Sequence, residues 1–192
     1  MSNEVLEILE KTNGLLKGHF CLTSGLHSDE YFQCAKLYQY PKYTEKIGKM
    51  LAEKLKDIEF DTIIAPAVGA VIIGYETAKQ SGKRNLFVER KDGIMQLRRG
   101  YKLSKGERVV IIEDVITTAR TIKETIEAIK EFEPKIAAVG CIVDRSCGNT
   151  GLNIISLAQV TPKTFEPDEC PLCQEGIPIE KPGSRQEVLV NA

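Results

Sequence analysis

Net charge is the first thing this chain lacks. Lys and Arg total 26 and Asp and Glu 27, for a formal charge of −1, so no global basic field draws nucleic acid or an anionic membrane. No run of 18 apolar residues occurs, so no transmembrane helix is expected. The N-terminal stretch is acidic and amphipathic, without the hydrophobic region of a signal peptide. Internal repeats and low-complexity tracts are missing. Histidine is scarce, with only His19 and His27. Both fall in a stretch that reads as hairpin and loop, where solvated side chains are the expectation. The six cysteines are not set in a small secreted frame, so cytoplasm and free thiols are the default.

What remains is the composition of a soluble globular protein, 42% hydrophobic and 28% charged. A chain of 192 residues reads most simply as one domain, able to bury about 70% of its unfolded surface.

The most informative stretch is 109–121. Val109 to Ile112 run without alternation, as in a strand covered on both faces of a parallel sheet. Two carboxylates follow, Glu113 and Asp114, then the hydroxyls of Thr117, Thr118 and Thr121. Ala119, Ile122, Ile126 and Ile129 begin a helical stripe. The turn between strand and helix presents backbone N–H groups and hydroxyls, and the helix N-terminus favours an anion. Paired acids at a buried strand end are costly unless something uses them. Acids for sugar hydroxyls beside an anion nest suggest a ribose phosphate, although strand–turn–helix units with a Thr cap also occur where nothing binds.

Elsewhere, Val5, Leu6, Ile8 and Leu9 predict a short helix over 3–12, stopped by Asn13-Gly14. Residues 18–35 read as a hairpin, with strands near Phe20–Leu22 and Tyr31–Cys34 and a turn from Ser24-Gly25. A helix is expected over 41–56, with Ile47, Met50, Leu51 and Leu55 inward. Strand 62–65 is broken by Pro66-Ala67-Val68-Gly69-Ala70, where small residues allow close backbone approach. A helix over 71–79 and a strand over 85–90 follow.

Residues 90–102 carry five cations (Arg90, Lys91, Arg98, Arg99, Lys102) against Asp92, either a solvated hairpin or a mobile basic loop suited to a diphosphate. Strand 136–143 ends in Asp144-Arg145-Ser146, on the edge where α/β sheets bind ligands. That pair reads as a ligand contact or as a structural ion pair. Strand 152–157 closes the core. Past Pro162 periodicity fails. Cys170-Pro-Leu-Cys173 offers two zinc ligands where four are needed, and Cys141, Cys147 or the histidines could join only if the fold brought them there. Reduced thiols are the expectation, with zinc and a redox pair as the alternatives.

The fold expected is α/β: a mostly parallel five-stranded sheet flanked by helices.

The strand, acid pair and Thr118-Ala119-Arg120-Thr121 resemble the phosphoribosyl-diphosphate (PRPP) motif of the type I phosphoribosyltransferases, with Ala119 and Arg120 where that motif often has glycines. Phe20, Leu22, Ser24, Gly25 and Ser28, followed by Tyr31 and Phe32, resemble the N-terminal hood of orotate phosphoribosyltransferases. Some members have lysine at the position of Thr23, so one cationic contact is absent or replaced. Met95, Leu97, Arg98, Arg99 and Gly100, like Lys181-Pro-Gly-Ser-Arg185, look like one bacterial and archaeal branch.

The resemblance implies transfer of phosphoribosyl from PRPP to orotate, giving orotidine monophosphate and diphosphate in pyrimidine synthesis. It implies one domain over 1–192, with a hood from about 1–40 plus C-terminal pieces, a core over about 41–160 and a Cys/Pro-rich tail over 162–192. PRPP would sit on Glu113, Asp114, Val115, Ile116, Thr117, Thr118, Ala119, Arg120 and Thr121, with its diphosphate on Ala67, Val68, Gly69 and Ala70. Orotate would meet Thr117, Arg145, Tyr31, Phe32 and Ser24. Catalysis would involve Glu113, Asp114, Arg90, Lys91, Arg98 and Arg99. Mg²⁺ would be held mainly through PRPP, with no protein ligand fixed. A homodimer with shared active sites is implied, without nucleic acid or membrane. Transfer to a purine base or uracil, or a PRPP-sensing regulator without catalysis, are the alternative readings.

Overall fold

A computed structural model describes residues 2–22, 24–161 and 163–182. Thr23 and residues 183–185 of the Lys181–Arg185 string lie outside them.

The chain opens with helix α1 (Ser2–Lys11), which stops where Asn13 takes a left-handed φ of 56°. Strands β1 (Leu15–Cys21) and β2 (His27–Phe32) form the expected hairpin. Then come α2 (Pro41–Leu55), β3 (Thr62–Pro66), α3 (Val71–Ser81) and β4 (Arg84–Lys91). Strand β5 (Ile94–Leu97), β6 (Arg108–Ile116), α4 (Arg120–Ile129), β7 (Lys135–Asp144) and β8 (Ile154–Gln159) complete the core.

The main sheet has the order β5-β4-β3-β6-β7-β8. Five strands are parallel, as expected. The sixth, β5, is a correction: it pairs antiparallel to β4 at the edge. The basic stretch 90–102 is thus largely hairpin, turning at Asp92-Gly93, both with positive φ.

The uninterrupted apolar runs follow from two-sided cover. Ile63, Ala65, Val110 and Ile112 share one core with Ile47, Leu51 and Ile73 of α2 and α3. Ile64, Val109 and Ile111 face a second core with Ile122 and Ile129 of α4. Alternate residues of one strand enter opposite cores, so both sets must be apolar.

A second, three-stranded sheet, β1-β2-β9, covers one end. Its third strand, β9 (Thr164–Phe165), comes from the far end of the chain and pairs His27 with Phe165 and Ser28 with Thr164. A single helical turn, α5 (Pro171–Gln174), follows. Beyond it Glu180 bridges to Phe20, its N–H donating to His19 O at 2.8 Å and its carbonyl accepting from Cys21 N–H at 2.8 Å. The histidines are a second correction. Both lie in strands and both are buried.

Candidate active site

Strand order places the site. From β3 the chain moves out to β4 on one side, while β6 pairs on β3's other side. A crevice opens at such a switch, outside the carboxyl ends of the strands. The turns after β3 and β6 both lie there, and β7 ends beside β6, with Ile116 paired to Asp144.

The turn 67–70 follows β3. The Ala67–Val68 peptide is cis, and Val68 is exposed. Gly69 lies so close to the acid pair that a Cβ there would stand 3.0 Å from Asp114 Oδ2. A side chain there would crowd the carboxylate, so glycine suits that approach.

After β6, residues 113 and 115–122 line a hollow of about 40 Å³. Ala119 supplies the turn, at φ 55° and ψ 20°, a conformation that normally falls to glycine. Ala119 therefore does the geometric job of the missing glycine. No side chain caps α4, so the Thr cap of the non-binding alternative is not formed. The helix's first N–H groups are left for another acceptor, with Thr117 and Thr118 exposed at the rim.

The acids are electrically unusual. Glu113 is buried, and burial followed by the neighbouring Asp114 charge pushes its carboxyl well above the usual range. Burial also raises Asp114. Asp114 N–H donates to Glu113 Oε1 at 3.1 Å and Val115 N–H to Asp114 Oδ1 at 2.7 Å, and a hydrogen bond between the two carboxyl groups raises Glu113 while lowering Asp114. Among the described residues neither has a cationic partner. An acid pair with Glu113 buried, Asp114 half-buried and no cation beside it favours whatever brings positive charge.

Arg145 follows β7, its N–H donating to Ile116 O at 2.8 Å. The residue is buried, and its guanidinium carbon lies over the Phe32 ring, 5.1 Å from the centroid. Its Nε is buried without a hydrogen-bond partner among the described residues. The ion-pair alternative for Asp144-Arg145 is not formed; Asp144 Oδ1 accepts from Ser146 N–H at 2.9 Å instead. Burial and then the Asp114 charge raise the Tyr31 phenol, which Arg145 partly offsets, so Tyr31, Arg145 and the acids share one field. Tyr38, which the sequence did not single out, is another buried orphan: its hydroxyl has no partner among the described residues, and burial, then Asp114, hold its pKa high.

The basic hairpin is less free than its sequence suggests. Arg90 donates to Gly93 O at 2.9 Å and pairs with Glu124. Arg98 and Arg99 pair with Glu89 at 3.2 and 3.0 Å, and Arg120 pairs with Glu124 at 2.9 Å. Lys91 is exposed, with no ion-pair partner among the described residues. Ser24 lies in the turn before His27, between β1 and β2, accepting from Leu26 N–H at 3.4 Å. It makes no hydrogen bond to Tyr31 or Arg145.

A doubly covered parallel sheet whose switch point joins an acid pair to an anion nest defines a phosphoribosyltransferase-type site. A family profile, "Phosphoribosyl transferase domain", matches residues 33–151. The chain is 51% identical over 185 residues to the orotate phosphoribosyltransferase of Caldanaerobacter subterraneus subsp. tengcongensis, covering 95% of this chain and 97% of that one. It is 52% identical over 183 residues to the enzyme of the same name from Caldicellulosiruptor saccharolyticus, covering 94% and 96%. The crystal structure of orotate phosphoribosyltransferase from Aeropyrum pernix matches the fold with a TM-score of 0.68 at 22% identity, covering 81% of this chain and 93% of that one. The chain belongs to the orotate phosphoribosyltransferase family.

Proposed function

We propose that the protein transfers the phosphoribosyl group of PRPP to orotate, releasing diphosphate and forming orotidine 5′-monophosphate, a step of pyrimidine synthesis. The observation that carries this reading is Arg145. A buried guanidinium with a partnerless Nε, beside an acid pair and an anion nest, calls for an anionic ring. A guanidinium fork matches orotate's carboxylate, and Phe32 and Tyr31 border the same place.

In this reading the ribose 5-phosphate takes the N–H groups at the start of α4 and the hydroxyls of Thr117, Thr118 and Thr121. The diphosphate lies along 67–70. Glu113 and Asp114 stand under the ribose. As the anomeric C–O bond breaks, diphosphate leaves with the electron pair and positive charge develops on the sugar. The uncompensated carboxylates are preorganised to stabilise it. Orotate's ring nitrogen then forms the new C–N bond. The site's oxygen-only donors suit Mg²⁺, which takes one or two carboxylates plus substrate oxygens; when bound it would offset the leaving group's charge. Of the four cations assigned to catalysis, Lys91 is the one left to meet the diphosphate, since Arg90, Arg98 and Arg99 already hold carboxylates.

We read the whole chain as one domain whose three-stranded sheet is its hood, working in the cytoplasm as a homodimer. Ile72 and Tyr75 of α3 are 48% and 60% exposed, and with Phe87 and Tyr101 they line a groove of about 710 Å³. An exposed apolar face of this kind marks a protein interface. Among the described residues no helix is long and apolar enough to cross a membrane.

The test is a base panel. With PRPP and Mg²⁺, orotate is expected to turn over and uracil, hypoxanthine and adenine are not. Arg145→Ala should cost roughly 100-fold in kcat/KM for orotate, as loss of charge-assisted hydrogen bonds implies. Turnover of another base instead would overturn the orotate reading, and PRPP binding without any turnover would move the protein to the regulators.

A further inference from the structure

Two pairs distant along the chain, His19 with His27 and Cys170 with Cys173, converge beside the three-stranded sheet. Their four ligand atoms all lie within 4.8 Å of each other. His19 Nε2 stands 3.0 Å from His27 Nδ1, 3.5 Å from Cys170 Sγ and 3.7 Å from Cys173 Sγ, and Cys173 Sγ is 3.4 Å from His27 Nδ1. Zinc bonds of about 2.0–2.1 Å to nitrogen and about 2.3 Å to sulfur give a tetrahedron with edges of roughly 3.4 Å between nitrogens and roughly 3.5–3.6 Å between nitrogen and sulfur. The nitrogen–sulfur spacings of 3.5, 3.7 and 3.4 Å match those edges, and the 3.0 Å between nitrogens is somewhat shorter. Both histidines and Cys170 are buried; Cys173 is at the surface.

Hydrogen bonding alone does not account for this cluster. His19 Nδ1 lies 2.8 Å from Ile177 O. A carbonyl only accepts, so Nδ1 carries the proton and the neutral ring presents a lone pair at Nε2. That lone pair can accept one hydrogen, yet three potential ligands crowd it. A single cation at the centre satisfies all four at once. The Nδ1–H to carbonyl bond is also what orients a metal-bound histidine. The Cys-x-x-Cys pair has the matching local form. Cys170 precedes the turn α5, whose first residue is Pro171, and Gly176 N–H donates to Cys173 O at 3.0 Å.

We propose that these four residues form a structural zinc site that clamps the C-terminal segment onto the hood hairpin. Two imidazoles and two thiolates select zinc among abundant divalent ions. Four protein ligands leave no open position, so the site is structural and separate from the transfer chemistry. The clamp answers a need, because the segment it holds has little core of its own: β9 is two residues long, and Ile177 and Ile179 are 39% and 46% exposed.

The test uses the full chain, purified from zinc-supplemented culture without chelators. Elemental analysis is expected to find one zinc per chain. Replacement by Co²⁺ should give the visible absorption of tetrahedral, thiolate-ligated cobalt. Strong chelation should lower the melting temperature by several degrees, and added zinc should restore it. Cys173→Ser and His27→Asn should each lose the metal on desalting while circular dichroism shows a folded chain. If a variant fails to fold, metal content and the cobalt spectrum of the parent still decide. Absence of metal with no cobalt spectrum, a Cys170–Cys173 disulfide in the freshly purified protein, or full zinc retention in both folded variants would each overturn the proposal. None of these results bears on orotate turnover, which the base panel reads separately.

Discussion

At the scale of single residues the site is governed by charge without partners. Glu113 has its carboxyl raised by burial and by Asp114. A raised acid contributes stability that is present below its unfolded value and lost as pH climbs through the folded one. Ionised Glu113 therefore costs the ligand-free protein stability near neutrality. Glu113→Gln should be more stable to urea than the parent at pH 8, by about 1 kcal/mol or more, since each tenfold weakening of the acid on folding is worth about 1.4 kcal/mol. The advantage should shrink as the solution is acidified and vanish below about pH 4, while turnover falls throughout. Equal urea midpoints for the two proteins across that range would mean that Glu113 is not strained by its surroundings. Much of this was legible in the string of residues: acids after a buried strand, threonines before a helix, an arginine at a strand end. Tyr38 was not, because a tyrosine after a hairpin carries no local mark of having its hydroxyl buried without a partner. Nor was the pairing of Arg98 and Arg99 with Glu89, since a run of cations does not say which carboxylate lies across the strand.

Among the elements, close fit sets what can change. Helix α3 lies on β3 so tightly that a Cβ at Gly74 would come 2.6 Å from Ala65 Cβ. That neighbour is fixed to the backbone and cannot swing away. Gly74→Ala should destabilise by about 1–3 kcal/mol despite alanine's better helix propensity. For a chain of this size each kcal/mol moves the melting temperature by about 2–4 °C. A thermal scan of the variant that matched the parent would show that helix and strand can part at no cost. The parallel strands and their helices were readable because each carries its own period and is covered on both faces. Strands β5 and β9 were not. The first has four residues set between charges and takes its form from pairing with β4. The second has two residues and no period at all. The burial of His19 and His27 was hidden for the same reason, since the groups that enclose them lie in the last part of the chain.

For the molecule as a whole, the exposed face of α3 is the feature that isolated chains would not tolerate well. Tyr75 stands out from it beside Ile72, on the helix that starts directly after the turn 67–70. Tyr75→Asp should shift sedimentation from dimer to monomer and reduce turnover where the partner completes the site. A parent protein that sediments as a monomer at micromolar concentration would end the dimer reading. The small sheet raises a different matter, that of timing. Its hairpin leaves the ribosome early, but β9 and the Glu180 bridge are encoded more than a hundred residues later. At about 5–20 residues added per second, the hairpin waits on the order of ten seconds for its third strand. The hollow at the start of α4 can thus be complete in a nascent chain whose small sheet is unfinished, and residues 164–180 decide when that sheet closes.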